Sequence, residues 1–567
     1  MTEMLLLLTV VILLAVPLGK YLAAVMQNRP MKTDLLFSWF EKPLYALLGT
    51  DPSRGMNART YALSFAVSCV FLGVVTWLLF MVQAALPLNP NNAPNMSWDL
   101  ALHTMISFLT NTNQQHYSGQ AQLSYLSQMV GIVGMQVITP MMGLAMVVAT
   151  VRALFYKPEP QSAEKKSLSE INVGNYWADV IRPTFRFLLP LCLVWSVLLT
   201  GQGVPSTFQG GPEVQVLEPT SDMQTQKIPL GPVASMVAIK QLGSNGGGWY
   251  GPNSTVPLEN PTPLSNFLEM MAILLIPVSV IFMLGFFTRR AKFAGLVFGS
   301  MLFMSVVSAT AAIWSESLSS TANQLSSMEG KEVRFGESSS ALWAAVTTQV
   351  NNGSVGMMHD SSAPLTGLVS LSDMMINAIW GGVGCGLQQF LVYLFLAVFI
   401  AGLMTGRTPE IFGRKIEAAE IKLLAVLILL QPLVILGFTA ITLAVPSLTG
   451  NSNPGYHGIS QVLYEYVSAY ANNGSGFEGL ADNTIWWNVS CSAALLLGRF
   501  PALIIPLFIA ARLATKRQAP ESSGSLKIET PTFALTLIAI VVMLTLLQFM
   551  PVLVLGPIAD HLLLVQG

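Results

Sequence analysis

Long apolar stretches separated by polar connections set the pattern of this chain. About ten of them are long enough to cross a hydrocarbon core of about 30 Å as helices. They begin near Met4, Tyr61, Met129, Arg186, Phe267, Phe293, Val383, Leu423, Trp487 and Phe533. Basic residues collect in alternate connections: Arg29, Lys32, Lys42, Arg54 and Arg59; then Lys157, Lys165, Lys166, Arg182 and Arg186. Arg289, Arg290 and Lys292 follow, then Arg407, Arg414, Lys415 and Lys422, and last Arg512, Lys516, Arg517 and Lys527. By the positive-inside rule these connections are cytoplasmic, which puts both termini outside. The other connections, about 86–128, 203–266, 315–382 and 446–486, are long, polar and extracytoplasmic.

Each of these outer connections contains an apolar helical segment too short to span: Trp98 to Leu109, Val233 to Leu242, Ala341 to Gln349, and Val462 to Tyr470. Segments of this length predict re-entrant helices. A compact polar run follows each one. The runs are Thr110-Asn111-Thr112-Asn113, Leu242-Gly243-Ser244-Asn245 with Gly246 after it, Asn352-Gly353-Ser354-Val355, and Asn473-Gly474-Ser475-Gly476. Their shared core is Gly or Asn followed by Ser or Thr.

Non-helical backbone is tolerated at membrane depth only where it is buried in protein or lines a water-filled cavity. Four such runs around one axis meet that condition. Glycine there permits dihedrals that aim successive carbonyls inward, and the hydroxyls of Thr112, Ser244, Ser354 and Ser475 are candidate hard ligands. Such an oxygen ring replaces the hydration shell of an alkali cation, and the preceding helices aim their negative dipole ends at it. Asn111 stands in the glycine place of the first run, and Gln115 is a candidate amide ligand at the outer mouth. Lys240 either pairs with pore-helix carbonyls or limits filter occupancy. Glu465 reads as a solvated or helix-facing residue. The glycines Gly381, Gly382, Gly384 and Gly386 make a continuous helix unfavourable and predict a broken one. If that break crosses the cavity below the filter it is a candidate gate, with Arg407 at the helix's cytoplasmic end as an electrostatic barrier.

Composition narrows the function. The chain has 567 residues, is 52% hydrophobic and only 10% charged, against about 25% in soluble domains. A net charge of -1 gives no global field to recruit nucleic acid, so selectivity must be local. Cys69, Cys192, Cys385 and Cys491 are scattered singly and read as packing residues. The five histidines form no HExxH pattern, and no His, Cys, Asp or Glu cluster is evident in the spans, which argues against a membrane-embedded enzyme. Basic residues follow the first apolar run instead of preceding it, so it reads as an uncleaved anchor. Neither a phosphate loop nor an Asp-Lys-Thr-Gly phosphorylation motif occurs, so the chain has no catalytic site and any energy must come from a partner.

Over nearly its whole length the chain resembles the KdpA family, the potassium-binding subunits of Kdp-type potassium-transporting ATPases within the superfamily of potassium transporters. The resemblance rests on Asn111 to Gly119, Lys240 to Gly248, Gly353-Ser354-Val355 with Met358-His359-Asp360, Asn472 to Ser475, and the turn Gly402 to Glu410. It implies an all-α membrane protein of ten spans, with four pseudo-symmetric membrane-pore-membrane repeats around a central selectivity filter. The repeats divide as 61–155, 186–290, 291–412 and 413–515, flanked by 1–60 (anchor helix and cytoplasmic loop) and a C-terminal helix in 530–567. K+ is implied as the transported ion, with no organic cofactor. The implied partners are the P-type ATPase subunit KdpB, KdpC and a small KdpF in the bacterial inner membrane. The family's expected route leads K+ sideways toward the ATPase subunit. The chain departs from family habit at Trp249-Tyr250-Gly251, where Phe-Phe-Asn is common, and at Gln349-Val350-Asn351-Asn352 before the third filter. The rival reading is a stand-alone channel or symporter subunit of Trk or Ktr type, against which the first and tenth spans argue.

Overall fold

A computed structural model describes residues 1–157, 167–220, 223–318, 328–520 and 526–566. Lys165 and Lys166 lie outside the described residues. Among those described, ten helices are long and apolar enough to cross a membrane, each near a position predicted from the sequence. They are Thr2–Met26, Ala58–Ala85, Ser127–Leu154, Tyr176–Gly201, Pro263–Thr288, Ala291–Ser317, Cys385–Met404, Ala418–Ala444, Ile485–Ala514 and Pro531–Val565. Helices dominate because each satisfies its own backbone polar groups, which lipid cannot do.

Burial sorts the spans. The third and fifth are mostly enclosed by protein, whereas the first, second, eighth and tenth leave most of their surface outward, toward lipid. The first span crosses the fifth closely enough that a Cβ on Gly19 would lie 2.6 Å from the Ser279 carbonyl oxygen. The small residue allows the backbones to approach, as in membrane helix pairs generally. The fourth span starts at Tyr176, ten residues before the expected Arg186, because its charges are neutralised: Arg152 pairs with Asp179, and Arg186 with Glu41 and Asp34. Those last two acids lie on a helix at Asp34–Leu47 that leaves Leu35, Leu36 and Trp39 exposed, where a loop was expected.

All five basic connections converge at one end of the bundle, as their alternation requires. Residues drawn from each of them, including Gln27 and Ser53, Arg152 and Arg182, Arg289, Arg414 and Gln518, line a common cavity there. The four short helices enter from the opposite end, as Trp98–Leu109, Val233–Leu242, Gly336–Val350 and Gly455–Ala471.

Candidate functional site

Each short helix ends in a loop that turns back on the helix it leaves, and hydrogen bonds define a common register. The Thr112 and Asn113 N–H groups donate to the Ser107 carbonyl (2.9 and 3.2 Å), and those of Asn245 and Gly246 to Lys240 (3.1 and 2.9 Å). Asn352 N–H donates to Thr347 (3.0 Å) and Asn473 N–H to Ser468 (2.9 Å). Left-handed residues flank each of these four positions. They are Asn111 and Asn113 (φ 58° and 68°), Ser244 and Gly246 (52° and 83°), Asn351 and Gly353 (56° and 78°), and Asn472 and Gly474 (57° and 107°).

This register corrects the sequence pairing in two quadrants. The partner of Gly353 and Gly474 is Gly246, not Gly243, which caps its helix with an ordinary φ of -76°. In the first quadrant the equivalent is Asn113, not Asn111. Asparagine is among the few residues that tolerate the left-handed region.

The four loops abut in a ring. A Cβ on Gly246 would collide with the Asn352 carbonyl oxygen, one on Gly353 with that of Asn473, and one on Gly474 with that of Thr112. Each glycine thus admits the carbonyl of the next quadrant. At the remaining junction the small residue is displaced by one loop: Gly247 leaves the room that the Asn113 side chain fills. Side chains repeat the cycle, with Asn352 Nδ2 donating to the Lys240 carbonyl (3.1 Å) and Asn473 Nδ2 to that of Thr347 (3.0 Å). Asn472 Nδ2 closes the fourth loop on Thr112 Oγ1 (3.0 Å), and Asn111 Nδ2 joins the first to the Gly243 carbonyl (3.2 Å).

The four hydroxyls named as candidate ligands are engaged in bracing. Ser354 and Ser475 bond the Asn352 and Asn473 side chains, Ser244 accepts from Val383 N–H (2.8 Å), and Thr112 contacts Thr110 Oγ1 (2.7 Å). Gln115 clasps Gly248, accepting its N–H (3.0 Å) and donating to its carbonyl (3.2 Å). Asn113 is buried with both amide atoms free of hydrogen-bond partners. A buried unsatisfied amide is costly unless it meets water or an ion.

Two charges lie behind the ring instead of in it. Lys240 is fully buried and pairs with Glu259, with Asn253 Oδ1 and Ser254 Oγ at 2.5 Å, so it pairs with none of the pore-helix carbonyls considered for it. Asn253 carries that brace to the loop by donating to the Gly246 carbonyl (2.9 Å). Glu465 is buried, not solvated, and bonds Gln114 and His116. His116 also contacts Asn488 Oδ1 (2.7 Å) and stacks on His103 at 3.7 Å. Folding thus gathers His116, Glu465 and Cys491 within 4.8 Å, a cluster invisible in the sequence because its members come from a loop, a short helix and a span. His116 and Glu465 already use their polar atoms in hydrogen bonds, and the group acts as a brace. At the outer rim, His457 lies between Asp360 (2.9 Å) and Asp560 (3.0 Å), and these carboxylates raise its pKa to about 9.

Beneath the ring the third repeat's helix is broken, as the glycines predict, into Pro364–Ile376 and Cys385–Met404. The intervening loop is tied to three quadrants. Trp380 and Gly381 N–H donate to the Gln349 carbonyl (3.1 and 2.8 Å), Val383 bonds Ser244, and Asn377 donates to the Ala471 carbonyl (3.4 Å). Gly381 and Gly384 have left-handed backbones. Gly381 and Gly386 pack against each other, and a Cβ on Gly382 would lie 3.1 Å from Ser244 Oγ. Arg407 does not reach this region: it is exposed in the turn after a twenty-residue helix that spans about 30 Å.

A different arginine does reach it. Arg499, 6% exposed, shares a cavity of about 20 Å³ with Asn111, Asn351, Gly382, Cys385 and Asn472, and forms no ion pair with the described residues. Sequence reasoning passed over it, although a lone cation midway along an apolar thirty-residue helix is itself a functional signal.

The KdpA family profile, described as "Potassium-transporting ATPase A subunit", matches residues 5–562. The "Potassium-transporting ATPase potassium-binding subunit" of Gloeobacter violaceus is 43% identical over 97% of this chain and 96% of its own length. The protein of the same name from Pseudomonas putida is 41% identical over 98% and 97%. Among solved structures, the potassium transporter TrkH from Vibrio parahaemolyticus superposes with a TM-score of 0.50 at 14% identity, over 85% of this chain and 97% of that one. That likeness concerns the fold, which it identifies as the four-repeat transporter architecture.

Proposed function

Because the chain belongs to the KdpA family of potassium-transporting ATPase A subunits, we propose that its four-loop ring is the filter that selects K+ for an ATP-driven pump. The chain is the potassium-binding subunit of that pump. The observation that carries the filter assignment is the cyclic packing, in which Gly246, Gly353 and Gly474 each admit the neighbouring quadrant's carbonyl. Left-handed residues on both sides of Thr112, Asn245, Asn352 and Asn473 turn successive carbonyls toward one axis, where they replace water around a dehydrated cation. Asn113 adds amide atoms with no protein partner, and Gln115 and the Ser and Thr hydroxyls hold the loops in place.

Below the filter, the glycine break and Arg499 obstruct straight passage. A buried positive charge at the inner mouth repels a cation that leaves the filter downward and favours a sideways exit. This favours the pump subunit over a stand-alone channel. Arg499 takes the role that sequence reasoning gave to Arg407. The partners are an ATPase subunit of KdpB type with KdpC and KdpF, in the bacterial inner membrane, with the filter loops and both termini extracytoplasmic.

The decisive measurement is K+-dependent ATPase activity of the complex that copurifies with this chain, wild type against Gly246→Ala. Loss of activation by K+ supports the filter. Unaltered K+ dependence in the variant overturns the filter, whereas passive K+ conduction by the wild-type chain alone in liposomes overturns the pump reading in favour of a stand-alone channel.

A further inference from the structure

At the basic end of the bundle lies a cavity of about 1120 Å³, far from the filter and formed where all five basic connections meet. Among the described residues its wall carries six cationic side chains, Arg152, Lys157, Arg182, Arg289, Arg290 and Arg414, and one carboxylate, Asp179. Three of the cations are already committed. Arg152 spans Asp179 (2.9 Å) and the Met26 carbonyl (2.7 Å), Arg414 holds the Leu154 and Tyr156 carbonyls, and Arg290 stacks over Phe412 and faces Glu529 at 3.5 Å. Lys157, Arg182 and Arg289 face the space with no acidic partner within 4.0 Å among the described residues, and the buried Nε of Arg182 has no hydrogen-bond partner.

Such a wall cannot serve K+. The described lining, with six positive groups and one negative, repels a cation and disfavours the cavity as an exit for the transported ion. Its chemistry suits an anion with several oxygens, since guanidinium groups bind phosphate through paired, charge-assisted hydrogen bonds. The volume is at the upper end of small-molecule ligand sites, and the helix Asp34–Leu47 packs through Tyr45 against Ala178, which lines the cavity. We propose that this cavity binds a phosphate-bearing ligand, presented either by an anionic lipid headgroup or by a soluble phosphate compound, through Arg182, Arg289 and Lys157. The site is independent of the filter, and its occupancy is readable without transport.

The test uses the full chain with its copurifying subunits in phosphatidylcholine nanodiscs, as wild type, Arg182→Gln/Arg289→Gln, and Arg182→Lys. One arm titrates inorganic pyrophosphate by calorimetry. The other counts phosphatidylglycerol retained in native mass spectrometry after mixed-lipid reconstitution. The expected result is binding in at least one arm, weakened about tenfold or more in the double Gln variant and largely kept by Arg182→Lys, as loss of charge-assisted bonds predicts. Binding in the first arm assigns a soluble ligand, and binding in the second a lipid. Equal behaviour of all three proteins in both arms, or no binding by the wild type in either, overturns the site. If the double variant does not fold, the exposed Arg289→Gln alone provides the comparison on the same criteria.

Discussion

The third and fourth loops of the ring share one local sequence, Asn-Gly-Ser, and one geometry, whereas the first and second reach that geometry with different residues. In the regular pair, Asn352 and Asn473 reach back to the preceding quadrant's helix, Gly353 and Gly474 admit the next carbonyl, and Ser354 and Ser475 steady the asparagines. The second loop keeps the glycine at Gly246 but braces it from behind through the buried Lys240, Glu259 and Asn253. The first loop keeps neither and has Asn113, with Gly247 of its neighbour yielding the space. The contrast teaches that the constrained quantity is the distance between neighbouring backbones. A glycine is needed at each junction, and which loop supplies it is free to vary.

The largest expected effect comes from breaking a regular junction. Gly246→Ala combines a left-handed backbone (φ 83°) with a collision against rigid backbone at Asn352, so K+ activation is expected to fall at least a hundredfold. Gly353→Ala and Gly474→Ala should follow closely, all read as the K+ concentration for half-maximal ATPase activity.

The displaced junction offers a sharper test. Gly247→Ala should weaken K+ activation about tenfold, since the atoms nearest the added methyl all belong to the Asn113 side chain, and adding Asn113→Gly should recover much of it. No recovery in the double variant would refute the exchange of small residues between the loops.

Arg499→Gln probes the space below the ring. Passive K+ leak through the complex in liposomes without ATP is expected to rise about tenfold, while Arg407→Gln, in an exposed turn, leaves it unchanged. Gly243→Ser should be milder than Gly246→Ala, because its φ of -76° suits any residue. The nearest obstacles are the carbonyls of Ile239 (2.8 Å) and Gln136 (2.9 Å).

The smallest effect concerns the rim. Asp360 and Asp560 raise the folded pKa of His457 to about 9, above its ordinary value, so the stabilisation is complete below the unfolded pKa and fades as pH rises through about 9. The melting temperature of the purified protein should drop by a few degrees between about pH 6.5 and about pH 9, and less in His457→Asn. Equal drops would remove the histidine as a tie between the rim elements.

Much of this was legible without coordinates. The ten spans, the four short helices, the polar runs and the glycine break all reflect local properties: segment length, hydropathy and the backbone freedom of glycine. The same locality explains the errors. Matching Gly243 with Gly353 compared letters in a row, whereas the true partner, Gly246, emerges only from bonds to the Lys240 carbonyl five and six residues back. Glu465 reads as solvated or helix-facing, and Lys240 as a partner of pore-helix carbonyls or a limit on filter occupancy, because their actual partners, His116 and Glu259, come from other segments of the chain. Arg499, by contrast, carried a local signal, a lone cation midway along an apolar helix.

The chain alone therefore settles how often it crosses the bilayer and where its backbone must leave the helix, since water, lipid and short-range sterics act on each segment separately. Which residues meet across the axis, which charges are paired, and which arginine lies beneath the ring depend on contacts between separate segments of the chain, from 19 residues apart for Lys240 and Glu259 to 349 for His116 and Glu465. Tertiary packing decides these matters, because the position of one quadrant's carbonyl limits what its neighbour can place beside it.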